Sequence, residues 1–531
     1  VWIDIRDLIL LPSGTGGHKG DRYYTPGGLL EVGGHLSNVA HSIGEWATVG
    51  GNITFQSGVG SLNVRPPDVG QVVIQKGAIL DISGGSLDYA SGIVRSTLLM
   101  GSDGKLYLSG QAPAGVKLMS VGASFMRRHE RWGEGYTELF STPFSRTQTA
   151  RWEEGYTVGR DAGTISLSVP TVLMEGTIRA DVVVGERQIQ ARPDLPITVD
   201  AQGRLQNTTA TRIDGYKLPQ NVTPLSGGLY VGNRIEAHVS NSGFQPFGSN
   251  VTISNGTNVT GGMTAGTALT PELLNNVQLS AESINQAGLG ALRVSGKKLL
   301  VEADLAVANG GSIALRGENT QISGNLTARS GTISLEGVIA NCSTVCDVIP
   351  TPIKVADGVK IDATGLWVNL KTGGDRRDLA FIKGGDVFIS SSQGSALLGK
   401  KSLIDVSAGG AVLETGETLG ARGGDVVISA GNLPRAVANQ LVLDGEIRSY
   451  GSGDFTGGTL LVNNGGRPVM IGESVFSGGN LLVAGQPLPM DLQLGESVLL
   501  KAGMTIPFEY SYQVTKLLAG DKVDTPLFLD F

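Results

Sequence analysis

Two short stretches carry the side chains best suited to meeting another molecule. Arg131-Trp132-Gly133-Glu134-Gly135-Tyr136-Thr137 is nearly repeated as Arg151-Trp152-Glu153-Glu154-Gly155-Tyr156-Thr157, within a segment that also holds Phe125, Phe140, Phe144, Arg127, Arg128, His129 and Arg146. Indole and phenol rings offer flat faces to sugar rings, and guanidinium groups hold acidic groups of a glycan or a protein. Trp132, Tyr136, Trp152, Tyr156, Arg131 and Arg151 are therefore the candidate ligand-binding residues. The competing reading of the same residues is a lid, whose rings cover the flank of a larger body and hydrogen-bond back to it.

Cys342 and Cys346 are the two cysteines, four positions apart in Asn341-Cys342-Ser343-Thr344-Val345-Cys346-Asp347. A close pair in an otherwise cysteine-free chain fits a local disulfide made in an oxidising compartment, and two reduced, inert thiols are the alternative. Zinc is disfavoured, because His18, His35, His41, His129 and His238 all lie far from the pair in sequence.

Acidic residues are scattered (Asp81, Asp161, Asp181, Asp386, Asp405, Asp425, Asp444, Asp454), whereas polysaccharide lyases and hydrolases gather theirs on one flank. Asp386 and Asp425 hold equivalent places in a repeated motif and could align on one face. Their plainer reading is a turn residue bonding its own backbone. No His-Glu-x-x-His, phosphate-loop or Gly-x-Ser-x-Gly pattern occurs. No catalytic residue, metal or cofactor is assigned, no enzyme activity is expected, and a polysaccharide-degrading enzyme is the weakest function considered.

The elements that must position these groups announce themselves by a rhythm. Gly310-Gly311-Ser312-Ile313-Ala314-Leu315 is followed twenty residues later by Ser330-Gly331-Thr332-Ile333-Ser334-Leu335. Gly384-Gly385-Asp386-Val387-Phe388-Ile389 returns as Gly423-Gly424-Asp425-Val426-Val427-Ile428, and Gly27-Gly28, Gly50-Gly51, Gly457-Gly458 and Gly478-Gly479 share the grammar. Strand-only units of this period predict an all-β fold, a right-handed parallel β-helix (solenoid) with extra-helical loop insertions. Glycine pairs would supply positive-φ corners, and like residues would stack in columns from coil to coil. About twenty coils would make a rod on the order of 90 to 100 Å long.

Composition agrees. With 79 glycines in 531 residues, 17% charged, 5% aromatic and 40% hydrophobic residues, the chain is neither disordered nor an ordinary globular enzyme. A net charge of −7 argues against a nucleic-acid partner, and no aliphatic stretch approaches a membrane span. The chain starts at Val1 with no signal-type run, so it is expected to be an excerpt whose export signal lies outside.

The expected organisation is β-helix coils over 1–115, an aromatic and Arg-rich insertion over 116–160, and coils over 161–184. An irregular insertion with a helical turn follows over 185–275, then coils over 276–490 with the cysteine loop 341–347, and terminal coils or a cap or linker over 491–531.

Gly77-Ala78-Ile79-Leu80-Asp81-Ile82-Ser83-Gly84-Gly85, the Arg-Trp-Gly and Glu-Gly-Tyr segments, Gly159-Arg160-Asp161-Ala162-Gly163-Thr164-Ile165-Ser166-Leu167 and the stretch from Gly423 to Gly431 together resemble the filamentous-haemagglutinin-like exoproteins of Gram-negative two-partner secretion. The resemblance covers most of the chain and is most distinctive from Arg151 to Ile178. It implies a secreted β-helix at the outer surface that serves attachment, aggregation or biofilm formation. It also implies an outer-membrane transporter as export partner, with a surface glycan or a host or bacterial receptor as target and self-association as a further possibility. Asn-Pro-Asn-type motifs of the family's secretion domain are absent, which places the chain in the shaft. The alternative function is a glycan-binding module centred on the aromatic insertion.

Overall fold

Short aliphatic alternations bounded by glycine and Asx residues form strands, and most of these strands pair in parallel. The computed structural model describes residues 8–11, 19–24, 31–36, 38, 42–56, 70–108, 118–121, 125–128, 137–140, 148–191, 221–232, 249–256, 259–264, 266–338, 351–391, 394–430, 441–443 and 445–463. Six further short strands lie between 469 and 514. The architecture is all-β with large parallel sheets.

Three parallel ladders share the work. The first runs through Asn52–Gln56, Thr164–Ser168, Gly228–Val231, the first halves of Ala291–Val301 and Ser312–Ile322, Thr332–Gly337, Asp386–Ser391, Val426–Ala430 and Leu460–Asn463. A second joins Gln71–Ile74, Thr171–Met174, Asn276–Ser280, Asn250–Ser254, the second halves of the two long strands, Ile353–Val355, Ala396–Leu398, Leu441–Leu443 and Val469–Ile471. The third pairs Ile79–Asp81 with Thr177–Arg179, and further along Leu305–Ala306, Leu326–Thr327, Lys360–Asp362, Leu403–Asp405 and Glu446–Arg448. Helix Ala281–Gln286, capped by the Ser280 hydroxyl accepting from Ser283 N–H, fills the gap between these two parts and touches both.

Register follows the apolar pattern, because a one-residue slip would turn every inward side chain outward. Ile53, Ile165, Leu229, Leu292, Ile313, Ile333, Val387, Val426 and Leu460 form one continuous column, and all except Ile53 are buried. Among the described residues the column has nine members, against the roughly twenty coils expected, and at about 4.8 Å each they span on the order of 40 Å. The reason is that a period of about twenty residues holds only from 292 through 313 to 333, whereas between the other members of the column longer links consume the chain.

The glycine pairs do something other than expected. Gly163, Gly331, Gly385, Gly424 and Gly458 are not in the positive-φ region. A Cβ at Gly163 would lie 1.6 Å from the Gly51 carbonyl oxygen, at Gly331 2.0 Å from that of Gly311, at Gly385 2.1 Å from that of Gly331, and at Gly424 1.7 Å from that of Gly385. These positions demand glycine because adjacent tiers touch backbone to backbone. Gly310, with φ 72°, is the exception that does form a left-handed corner.

Asx side chains then stitch tier to tier. Asp386 Oδ1 accepts from Asp425 N–H at 2.7 Å, and Asp425 Oδ1 from Thr459 N–H at 2.7 Å. These two aspartates therefore bond the neighbouring tier's backbone, in place of the own-turn bond expected from sequence. On another corner Asp304 accepts from Asn325 N–H at 2.8 Å and Asn325 from Lys360 N–H at 2.7 Å.

The corners differ in length. From second to third ladder the links are 75–78, 175–176, 302–304, 323–325, 356–359, 399–402 and 444–445. From third to first they include the short 307–311 and 328–331 but also 82–163, 180–227, 363–385 and 406–425. One hydrogen bond closes this corner whatever its length: Gly311 N–H donates to Ala308 C=O and Gly331 N–H to Ala328 C=O, both at 2.9 Å. Across long excursions the same bond joins Gly163 to Ile82 at 2.7 Å, and Gly227 to Ala180, Gly385 to Ala363 and Gly424 to Val406 at 2.8 Å.

Several boundaries fall elsewhere than the sequence suggests. Inside the stretch expected as coils, Ile9–Leu11 pairs antiparallel with Arg22–Tyr24 as a separate two-stranded sheet, Ser86–Tyr89 pairs antiparallel with Tyr156–Gly159, and Gly92–Gly101 does so with Gln148–Glu153, Leu106–Leu108 and Leu118–Val121. Conversely Gly228–Val231 and Asn250–Ser254, in the stretch expected to be irregular, join the main ladders. Asn250–Ser254 also breaks chain order, sitting between Asn276–Ser280 and the second half of Ala291–Val301. Residues 33–36, expected as strand, form a helical turn, and Leu8, Leu10, Tyr23, Val32 and Leu36 make a small separate core. At the other end Met504–Ile506 and Gln513–Val514 run antiparallel to the last strands of the second and first ladders, covering their edges. No helix among the described residues is long and apolar enough to cross a membrane.

Candidate functional site

The aromatic insertion is built on the long third-to-first corner. Strand Gln148–Glu153 pairs antiparallel with Gly92–Gly101, and strand alternation sends successive side chains to opposite faces. Trp152 faces outward, 62% exposed, opposite the equally outward Ile93. Its indole N–H donates to Glu154 Oε1 at 3.0 Å. The neighbouring Glu153 points the other way and binds Arg187 Nη1 at 3.1 Å.

Tyr156 is differently placed. Its ring stacks on Tyr89 with centroids 5.1 Å apart, and the Arg187 guanidinium lies 3.9 Å from its centroid. A stacked ring and a guanidinium that close cannot share one face, so both faces of Tyr156 are taken. Tyr89 in turn donates its hydroxyl to Glu45 Oε1 at 3.4 Å, and burial pushes its pKa up, against the Arg160 charge. Tyr156 therefore serves the lid reading, whereas Trp152 offers an exposed aromatic surface.

Beneath this layer a buried carboxamide locks the excursion 82–163 to the next one, 180–227. Gln188, fully buried, accepts from Gly159 N–H and Gly185 N–H at 2.8 Å and donates to the carbonyls of Gly159 and Val222 at 3.1 Å. All four hydrogen-bonding positions of the amide are used, which is what burial requires. Sequence reasoning missed Gln188, since a single glutamine in a polar stretch carries no signal without its partners.

Trp132, Tyr136, Arg131, Cys342 and Cys346 lie outside the described residues, as does the side chain of Arg151. Of the six candidates, Trp152 and Tyr156 are thus the two whose surroundings are known, and they sit on adjoining strands with different roles. Among the described residues no group of three or more His, Cys, Asp or Glu is arranged to hold a metal ion.

A second outward aromatic escaped the sequence reading. Trp367, 76% exposed, stands on a lateral sheet made from Trp367–Asn369, Gly410–Val412 and Thr418–Leu419, within the region expected as regular coils. The available signal was the recurring Ile-Asp-x-Ser/Thr, at Ile361-Asp362-Ala363-Thr364 and Ile404-Asp405-Val406-Ser407, which marks where the third ladder ends and an excursion begins. In each, the Asx oxygen accepts from the N–H two residues on, at 3.0 Å and 3.1 Å. No protein-family model, curated protein or solved structure matches this chain.

Proposed function

We propose that the three ladders wind as a single right-handed parallel β-helix and that the chain is the stiff shaft of a secreted, cell-surface adhesin. The observation that carries the winding is the unbroken column from Ile53 to Leu460, with second-to-third corners of fixed shortness and one repeated closing bond at the third-to-first corner. Strands in parallel register need crossovers, and these are overwhelmingly right-handed. A stack of this kind has flanks in place of an enclosed pocket, and its excursions leave from the corners, which suits a spacer that displays binding elements. The resemblance to filamentous-haemagglutinin-like exoproteins supplies the biological setting: an outer-membrane transporter for export, and attachment, aggregation or biofilm formation at the surface.

A crystal structure of the purified chain tests the fold, with one continuous right-handed winding of the three ladders expected and a left-handed or interrupted winding overturning it. Display of the chain on a non-adherent Gram-negative strain tests the function. Clumping or attachment above the empty-display control is expected, and none would reject the adhesive role.

Glycan binding by the aromatic insertion is the second reading, favoured by the outward Trp152 beside Ile93. It requires that Trp152→Ala reduce binding to a glycan array, whereas Tyr156→Ala would loosen the insertion first.

A further inference from the structure

The lateral sheet has two unlike faces. Trp367 stands opposite Gly410 and Asn369 opposite Val412, while Thr418 stands opposite Val412 from the third strand. Residues directly opposite share a face. One face therefore carries Val368 and Ala411 and is packed with Leu370, Leu366, Leu379, Ile382 and Leu413 into a small core. The other carries Trp367, Asn369, Val412 and Thr418, with no side chain at 410.

That missing side chain matters. A Cβ at Gly410 would come within 2.9 Å of Trp367 Cζ3 and 3.4 Å of Cε3, so the indole lies against bare backbone at 410. One side of the ring rests on the sheet and Trp367 as a residue is 76% exposed, leaving a flat apolar surface to water. The strand beneath is fixed by the packed inner face and by Asn369, whose Oδ1 accepts from Lys371 N–H at 3.1 Å. The same excursion is tied along the flank: Arg377 Nη1 donates to Val184 C=O at 2.9 Å, and the Phe381 ring comes within 2.7 Å of where a Cβ on Gly310 would be.

We propose that this face binds a hexopyranose unit of a neutral polysaccharide. The C–H face of the sugar stacks on Trp367, and its hydroxyls meet Asn369 and Thr418. A pyranose has the same division as the site, one apolar face with a polar rim. A protein partner would need a wider, fully desolvated centre than one indole framed by the exposed Asn369, Thr418, Lys371, Glu414 and Glu417. Charges of both signs in that frame favour a neutral sugar over an anionic one. The proposal rests on the lateral sheet alone and stands whether or not the chain is an adhesin shaft.

The test is ¹⁹F NMR of the full chain labelled with 5-fluorotryptophan, which reports on its 5 tryptophans, with Trp367→Tyr used to assign one signal. The probes are soluble hexasaccharides of glucose, mannose, galactose and N-acetylglucosamine in α and β linkage. At least one is expected to shift the Trp367 signal saturably. In calorimetric titrations with that sugar, Trp367→Ala should weaken binding about tenfold or more and Trp367→Tyr should retain most of it. Gly410→Ala, which lifts the ring from the backbone, should weaken binding by about threefold or more, with circular dichroism confirming the fold. A silent Trp367 signal across the panel, or sugar binding unchanged in Trp367→Ala, overturns the proposal. A shift driven by protein concentration alone also overturns it and assigns the face to a second copy of the chain.

Discussion

The second-to-third corner and the third-to-first corner join strands of the same tiers, yet one never exceeds four residues and the other accepts anything from a turn to the stretch 82–163. The tight corner is crossed by side-chain bonds that reach the next tier, such as Asp304 to Asn325 N–H and Asp357 to Lys400 N–H, so added residues would break bonds in two tiers at once. The permissive corner is closed at its neck by a single backbone bond, between the residue after the third ladder and the glycine that re-enters the first. Beyond the neck, the links of successive tiers still bond one another, as Gly84 N–H does to Asp181 C=O at 2.9 Å and Gly365 N–H to Ser407 C=O at 2.8 Å. The outward tryptophans Trp152 and Trp367 both stand on strands within links of this corner, where the chain leaves and returns past one closing bond.

The most damaging way to break this comparison is at the neck. Gly424→Val would drive a side chain into the Gly385 carbonyl, a backbone atom that cannot yield, and should cost at least about 3 kcal/mol or abolish folding, read by urea denaturation. Gly373→Ala, at a left-handed corner with open space around it, should cost only about 1 kcal/mol. Equal losses would mean that crowding between tiers is not what selects glycine. Next comes the shared core: Ile333→Ala empties the middle of the column and should cost about 2–5 kcal/mol, with hydrogen-exchange protection falling most in the adjoining tiers.

Asp362, at the neck of the 363–385 excursion, sharpens the comparison through pH. Burial acts to raise its pKa, but Lys360, Thr364 and Arg329 outweigh it and hold the carboxyl below its ordinary value. A depressed folded pKa adds stability above the unfolded pKa and loses it as pH falls through the folded one. Asp362→Asn should therefore cost about 1–2 kcal/mol at neutral pH, and the gap between variant and parent should close below about pH 4. A gap that stays constant into acid would assign the loss to packing. The boldest change tests the neck itself. Replacing the excursion 83–162 by Arg329-Ser330, the turn between Ala328 and Gly331, should leave the ladders folded at a cost of about 1–3 kcal/mol, because the neck bond is kept while Gln188 and Leu225 lose their partners Gly159 and Asp161. Loss of the folded ladders would show that the excursion supports the stack.

Much of the repeating part was legible. Ile313 and Ile333, read as equivalent from their glycine-led frames, are paired in the structure, and Val387 and Val426, thirty-nine residues apart in sequence, are likewise direct neighbours. The candidate site was legible only as composition. Trp152 and Tyr156 look alike in their duplicated frames, yet one faces water and the other is clasped between Tyr89 and Arg187, partners from 67 residues before it and 31 after it.

What sequence alone determined is local and periodic: which residues extend, which alternate inward, and where glycine recurs, because these depend on backbone sterics and on side-chain polarity within a few positions. Which corner would carry the excursions, why the glycines are needed, and which tryptophans face outward were decided by tertiary contact, since each depends on atoms of another tier brought within hydrogen-bonding or van der Waals distance. The inserted strand Asn250–Ser254, lodged out of chain order in the second ladder, shows the same division: its valine and isoleucine specify a strand, and only the neighbouring backbones specify where it fits.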